Sequence, residues 1–331
     1  MPAITSFPLY NILTFPTRLL GSKTFSIPGI LLRLPKLLFD PSSFCQSGYH
    51  RFNHRHLSPN EAKDYIIYAS AAAAVHGNNS AWLEPFHFTP VSADKNGFYF
   101  DKETGLKAIV YEKDQELLIT FGALGSQKSQ FSESEAKLSQ NLERKVQLSA
   151  FASLLGARPD LYEKADAFIE TVKATPYFQN KKITLCGQCL GGSIASYVSL
   201  RQQIPSYCLN TFALGPGLQT KIGEKNLRAA DRFVTHISVE NDYFSEPRTF
   251  VRIVDLVLNT LGLRTAGHFG KRCIVGAIHQ NSRVNHRDIY GCLVAAWKRE
   301  LLPDCLRMNA KDHTEAKAAR EQIRSYIKNN I

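Results

Sequence analysis

The chain has 331 residues, of which 44% are hydrophobic and 11% aromatic, so it carries enough apolar surface for one large buried core. This composition excludes a disordered chain, and the length suits a single α/β domain. The formal net charge of +11 favours acidic partners, such as an anionic membrane surface. Because the basic residues are spread along the chain and form no nucleic-acid-binding motif, we expect no nucleic-acid partner.

The seven cysteines form an odd set without the spacing of a disulfide framework. Four of them occur in apolar or strand-like stretches, where a free thiol behaves as a small hydrophobic side chain (Cys186, Cys208, Cys273 and Cys292). This usage predicts action in a reducing, cytoplasmic compartment. Cys186 and Cys189 are three residues apart, but no second Cys/His pair accompanies them, so we expect neither a metal nor a cofactor.

Residues 1–45 are interpreted as a basic N-terminal arm, and residues 46–331 as one domain. The arm is interrupted by prolines and has no apolar run near the length of about 20 residues that spans a bilayer. It also lacks the pattern of a secretory signal peptide. Its apolar patch, 27–39, has two interpretations: contact with a membrane surface, or packing along the domain.

The first predicted element is a helix that begins after Ser58 and ends at Gly77. Ser58 suits the N-cap, Pro59 the first turn, and Glu61 the partner position of a capping box. A β-meander follows, with predicted strands at 98–100, 106–111 and 116–121. Its last strand ends in a loop of small residues that begins at Gly122.

Helical and strand-like patterns then alternate along the chain. The sequence predicts helices at 132–155, 160–174, around 290–297 and 310–329, and strands at 183–186, 207–213, 233–239 and 273–278. This alternation predicts a mostly parallel central sheet with helices on both faces. The very apolar stretch 248–263 is either a buried helix or part of a lid spanning 244–285.

The motif Gly187-Gln-Cys-Leu-Gly-Gly192 separates the strand at 183–186 from the next helix. A strand that turns into a helix around G-x-nucleophile-x-G is the pattern of a nucleophile elbow. The nucleophile position holds Cys189, at a helix N-terminus where the helix dipole favours a thiolate. The alternative is a glycine-rich turn with no chemical role.

A thiol nucleophile needs a histidine to take its proton and a carboxylate to orient that histidine. The chain order of nucleophile, acid and histidine is met by Cys189, then Asp242, then either His286 or His279. The oxyanion hole would use the backbone N–H of Leu190 and a second N–H from the loop after the meander, at Ala123 or Leu124.

From about Ser58 to Trp297 the sequence resembles the lipase class 3 family of α/β-hydrolases. The matching stretches are Ile119-Thr-Phe-Gly-Ala-Leu124, Gly187-Gln-Cys-Leu-Gly-Gly192, Thr211-Phe-Ala-Leu-Gly-Pro216, Glu240-Asn-Asp242 and His286-Arg-Asp-Ile-Tyr290. The resemblance implies an α/β-hydrolase fold with Cys189 as nucleophile, Asp242 as acid and His286 as base.

Three departures separate the chain from this family pattern. Cys189 replaces the serine, Gln188 replaces the histidine before it, and the stretch after Phe121 lacks the arginine and threonine of the oxyanion loop. A cysteine in this kind of elbow is also similar to dienelactone hydrolases and polyhydroxyalkanoate synthases. The resemblance therefore implies chemistry through a thioester rather than ordinary triacylglycerol hydrolysis.

We therefore expect a lipase-like hydrolase with a Cys-His-Asp triad that forms an acyl-thioester on Cys189. The expected substrates are lipid or fatty-acyl esters or thioesters, met at a membrane to which the protein binds peripherally. One alternative is acyl transfer through the same cysteine. Another is a catalytically silent hydrolase fold that binds a membrane or a partner.

Overall fold

The computed structural model describes residues 55–77, 80–91, 98–123, 142, 146, 148–150, 152–154, 156–240, 242, 266–278 and 286–298. The strands of this part are β1 (Arg55–His56), β2 (Thr89–Pro90), β3 (Phe98–Phe100), β4 (Leu106–Lys113), β5 (Glu116–Ala123), β6 (Lys182–Gln188), β7 (Ser206–Leu209), β8 (Val234–Val239) and β9 (Lys271–Val275). The helices with complete boundaries are α1 (Pro59–Gly77), α2 (Asp160–Ala174), α3 (Leu190–Gln202), α4 (Pro216–Ile222), α5 (Glu224–Arg228) and α6 (Ile289–Trp297).

All of these strands belong to one sheet, in the order β1-β9-β8-β7-β6-β5-β4-β2, with β3 paired to β4. Strands β5 to β9 are parallel to their neighbours, and β1 is parallel to β9. Only the pairs that involve β4 are antiparallel. This topology confirms the predicted α/β-hydrolase architecture, with a mostly parallel central sheet.

Helices cover both faces of the sheet, because alternate residues of the buried strands point to opposite sides. On β6, Leu185 packs with α2 and α3 in one apolar cluster. The next residue, Cys186, packs against α1 on the other face. Helix α6 lies beside α1 and shares a third cluster with it, over β7, β8 and β9. Apolar burial on both faces explains why the strands read as continuous hydrophobic runs.

Helix α1 confirms the predicted start and shows how the helix packs. The Ser58 N–H donates to the Glu61 carboxylate at 3.0 Å, and the Glu61 N–H donates to Ser58 Oγ at 3.3 Å, which is the reciprocal capping box. The alanines in its middle are almost fully buried (Ala69, Ala71, Ala72 and Ala74). Their small side chains let α1 approach the sheet and α6 closely.

Several elements differ from the sequence-based predictions. Strand β7 ends at Leu209 rather than 213, because Asn210 has a positive φ of 43° that an extended strand does not accommodate. Strand β9 covers 271–275 rather than 273–278. The two-residue strand β1 was not predicted; its Arg55 is ion-paired with Glu61 at 2.5 Å.

Several predictions fall wholly or partly outside the described residues. The arm at 1–45, the stretch 248–263 and the tail at 310–329 lie there entirely. Within the proposed lid, 244–285, the described residues include β9, which is a strand of the central sheet and so no part of a lid. In the predicted helix at 132–155, the described positions Leu142, Val146 and Ala150 are helical and buried. Among the helices of the described residues, none is long and apolar enough to cross a bilayer.

Candidate active site

Cys189 occupies a strained turn between β6 and α3. Its φ of 57° and ψ of −121° lie in a region that non-glycine residues rarely adopt, and such backbone strain costs about 1–3 kcal/mol. The Cys189 N–H donates to the Leu209 carbonyl at 2.9 Å, which fixes the turn against β7. The thiol is only partly buried. This is the backbone geometry of the predicted nucleophile elbow.

Two glycines make the elbow sterically possible. A Cβ on Gly187 would lie 2.4 Å from the backbone of Gly191, and a Cβ on Gly191 would lie 2.2 Å from the Phe121 carbonyl oxygen. Both distances are far below any tolerable contact, so only glycine fits at either position. The close approach at Gly191 also brings the start of α3 against the end of β5, where the oxyanion loop was predicted.

Asp242 and His286 meet at the carboxyl edge of the sheet. Asp242 follows β8, its N–H donates to the Val239 carbonyl at 3.0 Å, and its side chain is fully buried. The Asp242 carboxylate Oδ1 lies 2.7 Å from His286 Nδ1. His286, which precedes α6, is 6% exposed. The structure therefore joins the predicted acid to one of the two predicted bases.

The other side of the His286 ring interacts with Cys189. Burial lowers the pKa of His286, but hydrogen bonds to Asp242 and Cys189, together with the negative charges of both groups, raise it overall to about 9. The imidazolium is therefore the favoured form of His286 at neutral pH. It stands between a carboxylate and a thiol that loses its proton when it acts as a nucleophile.

The predicted oxyanion donors are only partly described. Leu190 is the first residue of α3, so its N–H has no acceptor within the helix and is available to a negatively charged oxygen. Ala123 is the last residue of β5, at the same edge of the sheet. Leu124 and the alternative base His279 lie outside the described residues.

Cys186 has a different environment from Cys189, although the two are three residues apart. Its thiol is fully buried, contacts Thr120 Oγ1 at 2.9 Å, and has a pKa raised to about 12 by burial. The four cysteines predicted to be apolar core residues are all buried (Cys186, Cys208, Cys273 and Cys292). Within the described ranges, no group of three or more His, Cys, Asp and Glu side chains could hold a metal ion.

Three residues near Cys189, Asp242 and His286 were not predicted as part of the site. Gln188 and Asn210 both donate side-chain hydrogen bonds to the His286 carbonyl. His76, in the last turn of α1, hydrogen-bonds the backbone of Gln188, and burial and the nearby charges of Lys107 and His286 lower its pKa to about 4. Gln188 was recognisable as a departure from the family elbow, but nothing in the sequence linked Asn210 or His76 to the base.

A second buried polar cluster joins Thr211, His236 and His268. Thr211 Oγ1 contacts Nδ1 of His236 at 3.1 Å and Nδ1 of His268 at 3.3 Å. His236 Nε2 donates to the Phe269 carbonyl at 3.0 Å. Burial lowers the pKa of His236 to about 4 and holds that of His268 well below its usual value, and the nearby charge of Arg272 acts in the same direction.

Comparison with known proteins gives similarity in structure alone. No protein-family model matches the chain, and no curated protein matches its sequence. A lipase from Rhizopus microsporus var. chinensis is similar at 12% identity and a TM-score of 0.38, over 57% of this chain and 70% of that one. A Rhizomucor miehei lipase in complex with its propeptide is 12% identical, with a TM-score of 0.39, over 67% of this chain and 69% of that one. A mutant form of the MDLA protein of Penicillium cyclopium is 14% identical, with a TM-score of 0.38, over 68% of this chain and 83% of that one.

Proposed function

We propose that this chain is a cysteine-dependent, lipase-like α/β-hydrolase that acts on acyl esters or thioesters. The observation that carries the proposal is the chain of contacts from Asp242 through His286 to Cys189, on a strained elbow at the carboxyl edge of the sheet. This arrangement supplies a nucleophile, a proton carrier and a group that orients the carrier. The similarity to lipase structures is too slight to contribute to the proposal.

The first half-reaction transfers the acyl group to the enzyme. The Cys189 thiolate attacks the acyl carbonyl carbon, and the carbonyl oxygen becomes an oxyanion near the Leu190 N–H. As the tetrahedral intermediate collapses, the bond to the leaving alcohol or thiol breaks, and His286 donates its proton to that group. The product of this step is a thioester on Cys189 and a neutral His286.

The second half-reaction removes the acyl group. Neutral His286 accepts a proton from water as the water oxygen attacks the thioester carbon, which releases a carboxylic acid and restores the thiolate–imidazolium pair. An alcohol, amine or thiol in place of water would give acyl transfer by the same steps. Asp242 keeps the imidazole oriented and stabilises its positive charge in both half-reactions.

The proposed substrates are esters or thioesters of lipid or fatty-acyl chains. The resemblance of the elbow, acid and histidine motifs to the lipase class 3 pattern supports this class. The net charge of +11 supports an encounter at an anionic membrane surface. Cys189 is accessible to such a substrate because its side chain is only partly buried.

Mass spectrometry of the intact full-length protein tests the proposal. The protein is incubated with p-nitrophenyl butyrate, p-nitrophenyl palmitate and palmitoyl-coenzyme A. We expect release of p-nitrophenol and an acyl adduct that neutral hydroxylamine removes, as it does for a thioester. Cys189→Ala should abolish both signals. Cys186→Ala is the matched control, because it removes a buried thiol three residues before Cys189, and it should keep both signals.

The outcomes separate the proposal from its rivals. Acyl products on added glycerol or amines in place of free acid would assign transfer rather than hydrolysis to the same cysteine. If neither adduct nor p-nitrophenol release depends on Cys189, covalent catalysis is refuted, and a silent hydrolase fold is the better interpretation. His286→Ala separates the two bases: full retention of activity would move the role to His279.

A further inference from the structure

The His286 backbone carbonyl accepts hydrogen bonds from two buried side-chain amides. Gln188 Nε2 donates at 2.5 Å and Asn210 Nδ2 donates at 3.1 Å. Gln188 is 7% exposed and Asn210 is fully buried. A carbonyl oxygen has two lone pairs, so these two donors use its full capacity. The backbone of His286 is thus held at its carbonyl oxygen by the side chains of two other residues.

The two amides lie at the carboxyl ends of the neighbouring strands β6 and β7. Gln188 is the last residue of β6 and directly precedes Cys189, so its amide ties the nucleophile to the base. Its own backbone is hydrogen-bonded by His76 of α1. A shift of Gln188 would therefore move both the thiol and the imidazole.

Asn210 connects the base to the strand that carries the acid. It directly follows β7 with a positive φ of 43°, and its N–H donates to the Ile237 carbonyl at 2.9 Å. Its side-chain Oδ1 accepts from the Val239 N–H at 2.8 Å. Val239 in turn accepts the Asp242 N–H at 3.0 Å. The Asn210 side chain therefore connects Val239, whose carbonyl bonds the Asp242 N–H, to the backbone carbonyl of His286.

We propose that Gln188 and Asn210 are positioning residues that hold His286 between Asp242, 2.7 Å from its Nδ1, and Cys189. The inference rests on the proposed function and extends it from the triad to the residues that set its geometry. The physical reason is that the two ring nitrogens must reach partners on different strands at once. A hydrogen bond weakens steeply with distance and angle, and a misplacement of about 1 Å costs up to about a hundredfold in rate.

The competing interpretation is that the two amides satisfy a buried carbonyl and have no further effect. The chain contains a matched control for it. Gln219 is also buried, at 5% exposure, and its Nε2 also donates to a backbone carbonyl, that of Leu214, at 2.7 Å. Gln219→Met and Gln188→Met thus remove the same kind of bond, but only the second touches the base.

The test is the rate at which iodoacetamide alkylates Cys189 in the full-length protein from pH 6 to pH 10.5, with peptide mapping to separate Cys189 from the other thiols. Gln188→Met removes one donor. Asn210→Gly removes the other and tolerates the positive φ. We expect each to slow alkylation about tenfold at pH 7, where His286 carries its proton, and to leave the rate at pH 10.5, above the His286 pKa of about 9, near that of the wild type.

Gln219→Met should lower the melting temperature and leave the whole pH profile unchanged. Wild-type profiles for Gln188→Met and Asn210→Gly would overturn the inference, with both amides then serving stability alone. If Asn210→Gly does not fold, Gln188→Met decides by itself. A His286→Ala profile equal to the wild type would remove His286 from the proposed triad, and the inference with it, whereas Cys189→Ala tests the proposed function itself. A shifted His286→Ala profile beside unshifted amide variants would refute the inference alone.

Discussion

His286 and His236 are both buried, at 6% and 2% exposure, yet the protein moves their pKa values in opposite directions. The pKa of His286 rises to about 9 and that of His236 falls to about 4. The two rings differ in the charge of their partners. His286 faces the Asp242 carboxylate, whereas His236 contacts a hydroxyl and a carbonyl and has Arg272 nearby. Burial alone therefore does not decide the charge of a histidine here; the partner does.

The hydrogen bonds around His236 also specify its neutral form. The Phe269 carbonyl can only accept, so His236 Nε2 carries the proton, and Nδ1 accepts from the Thr211 hydroxyl. Thr211 is then free to accept from Nδ1 of His268. Protonation of His236 would turn its Nδ1 into a donor and disrupt this arrangement of donors and acceptors. The cluster is therefore built for uncharged imidazoles, and the triad for a charged one.

The two groups affect stability in different pH windows. The folded-state pKa of His286 lies above its unfolded value, so its contribution is fully present below pH 6.5 and is lost as the pH rises through about 9. The folded-state pKa of His236 lies below its unfolded value of 6.5. The unfolded chain therefore binds more protons between pH 6.5 and about 4, and stability falls as the pH falls through that window.

The largest expected effect comes from removing the charge that distinguishes the two groups. Asp242→Asn leaves His286 buried without a carboxylate, which makes its environment like that of His236. We expect its pKa to fall and Cys189 alkylation by iodoacetamide at pH 7 to slow by about a hundredfold or more. A direct measure of the fall is the titration of the His286 ring protons by NMR.

A buried carboxylate elsewhere provides the control for this change. Asp166 is 5% exposed and accepts hydrogen bonds from Arg201 at 3.3 Å and Gln202 at 2.9 Å. Asp166→Asn should lower stability and leave Cys189 alkylation as it is in the wild type. Equal rates in Asp242→Asn and the wild type would show that the carboxylate does not govern His286.

The second effect concerns acid stability. The free energy of unfolding should fall as the pH drops from 6.5 to 4, with a contribution from His236 of up to about 1.4 kcal/mol per pH unit. His236→Gln removes this titration, so urea denaturation at a series of pH values should give a shallower slope for the variant. An unchanged slope would mean that His236 is not held neutral in the folded protein.

The smallest effect comes from the hydroxyl that joins the two neutral rings. Thr211→Val keeps the side-chain shape but removes the group that contacts both His236 and His268, so we expect a loss of about 1 kcal/mol in the free energy of unfolding at pH 7. Urea denaturation measures it, with Thr220→Val as a control because the exposed Thr220 hydroxyl donates to the Pro216 carbonyl of its own helix. Equal stabilities of the two variants would show that the hydroxyl does not order the cluster.

Much of the fold was predictable because its determinants are local. The capping box at Ser58 and Glu61 defined the start of α1, and runs of apolar residues bounded by turns located the strands from β4 to β9. The errors fell where a distant contact overrides the local pattern. The stretch after Leu209 has the pattern of a strand, but Asn210 lies outside the strand and is hydrogen-bonded to Ile237, Val239 and His286. No local signal in the sequence predicts those partners.

The candidate site divides in the same way. The sequence by itself determined the elbow, because glycines on both sides of Cys189 are a steric requirement of that turn, and it predicted the chain order of Cys189, Asp242 and then His286 or His279. Only the tertiary structure decided that Asp242 meets His286, that one imidazole is charged and another neutral, and that two amides hold the carbonyl of the base. The physical reason is that glycine sterics act within a few residues, whereas hydrogen bonds and electrostatic interactions depend on which distant residues the sheet brings together.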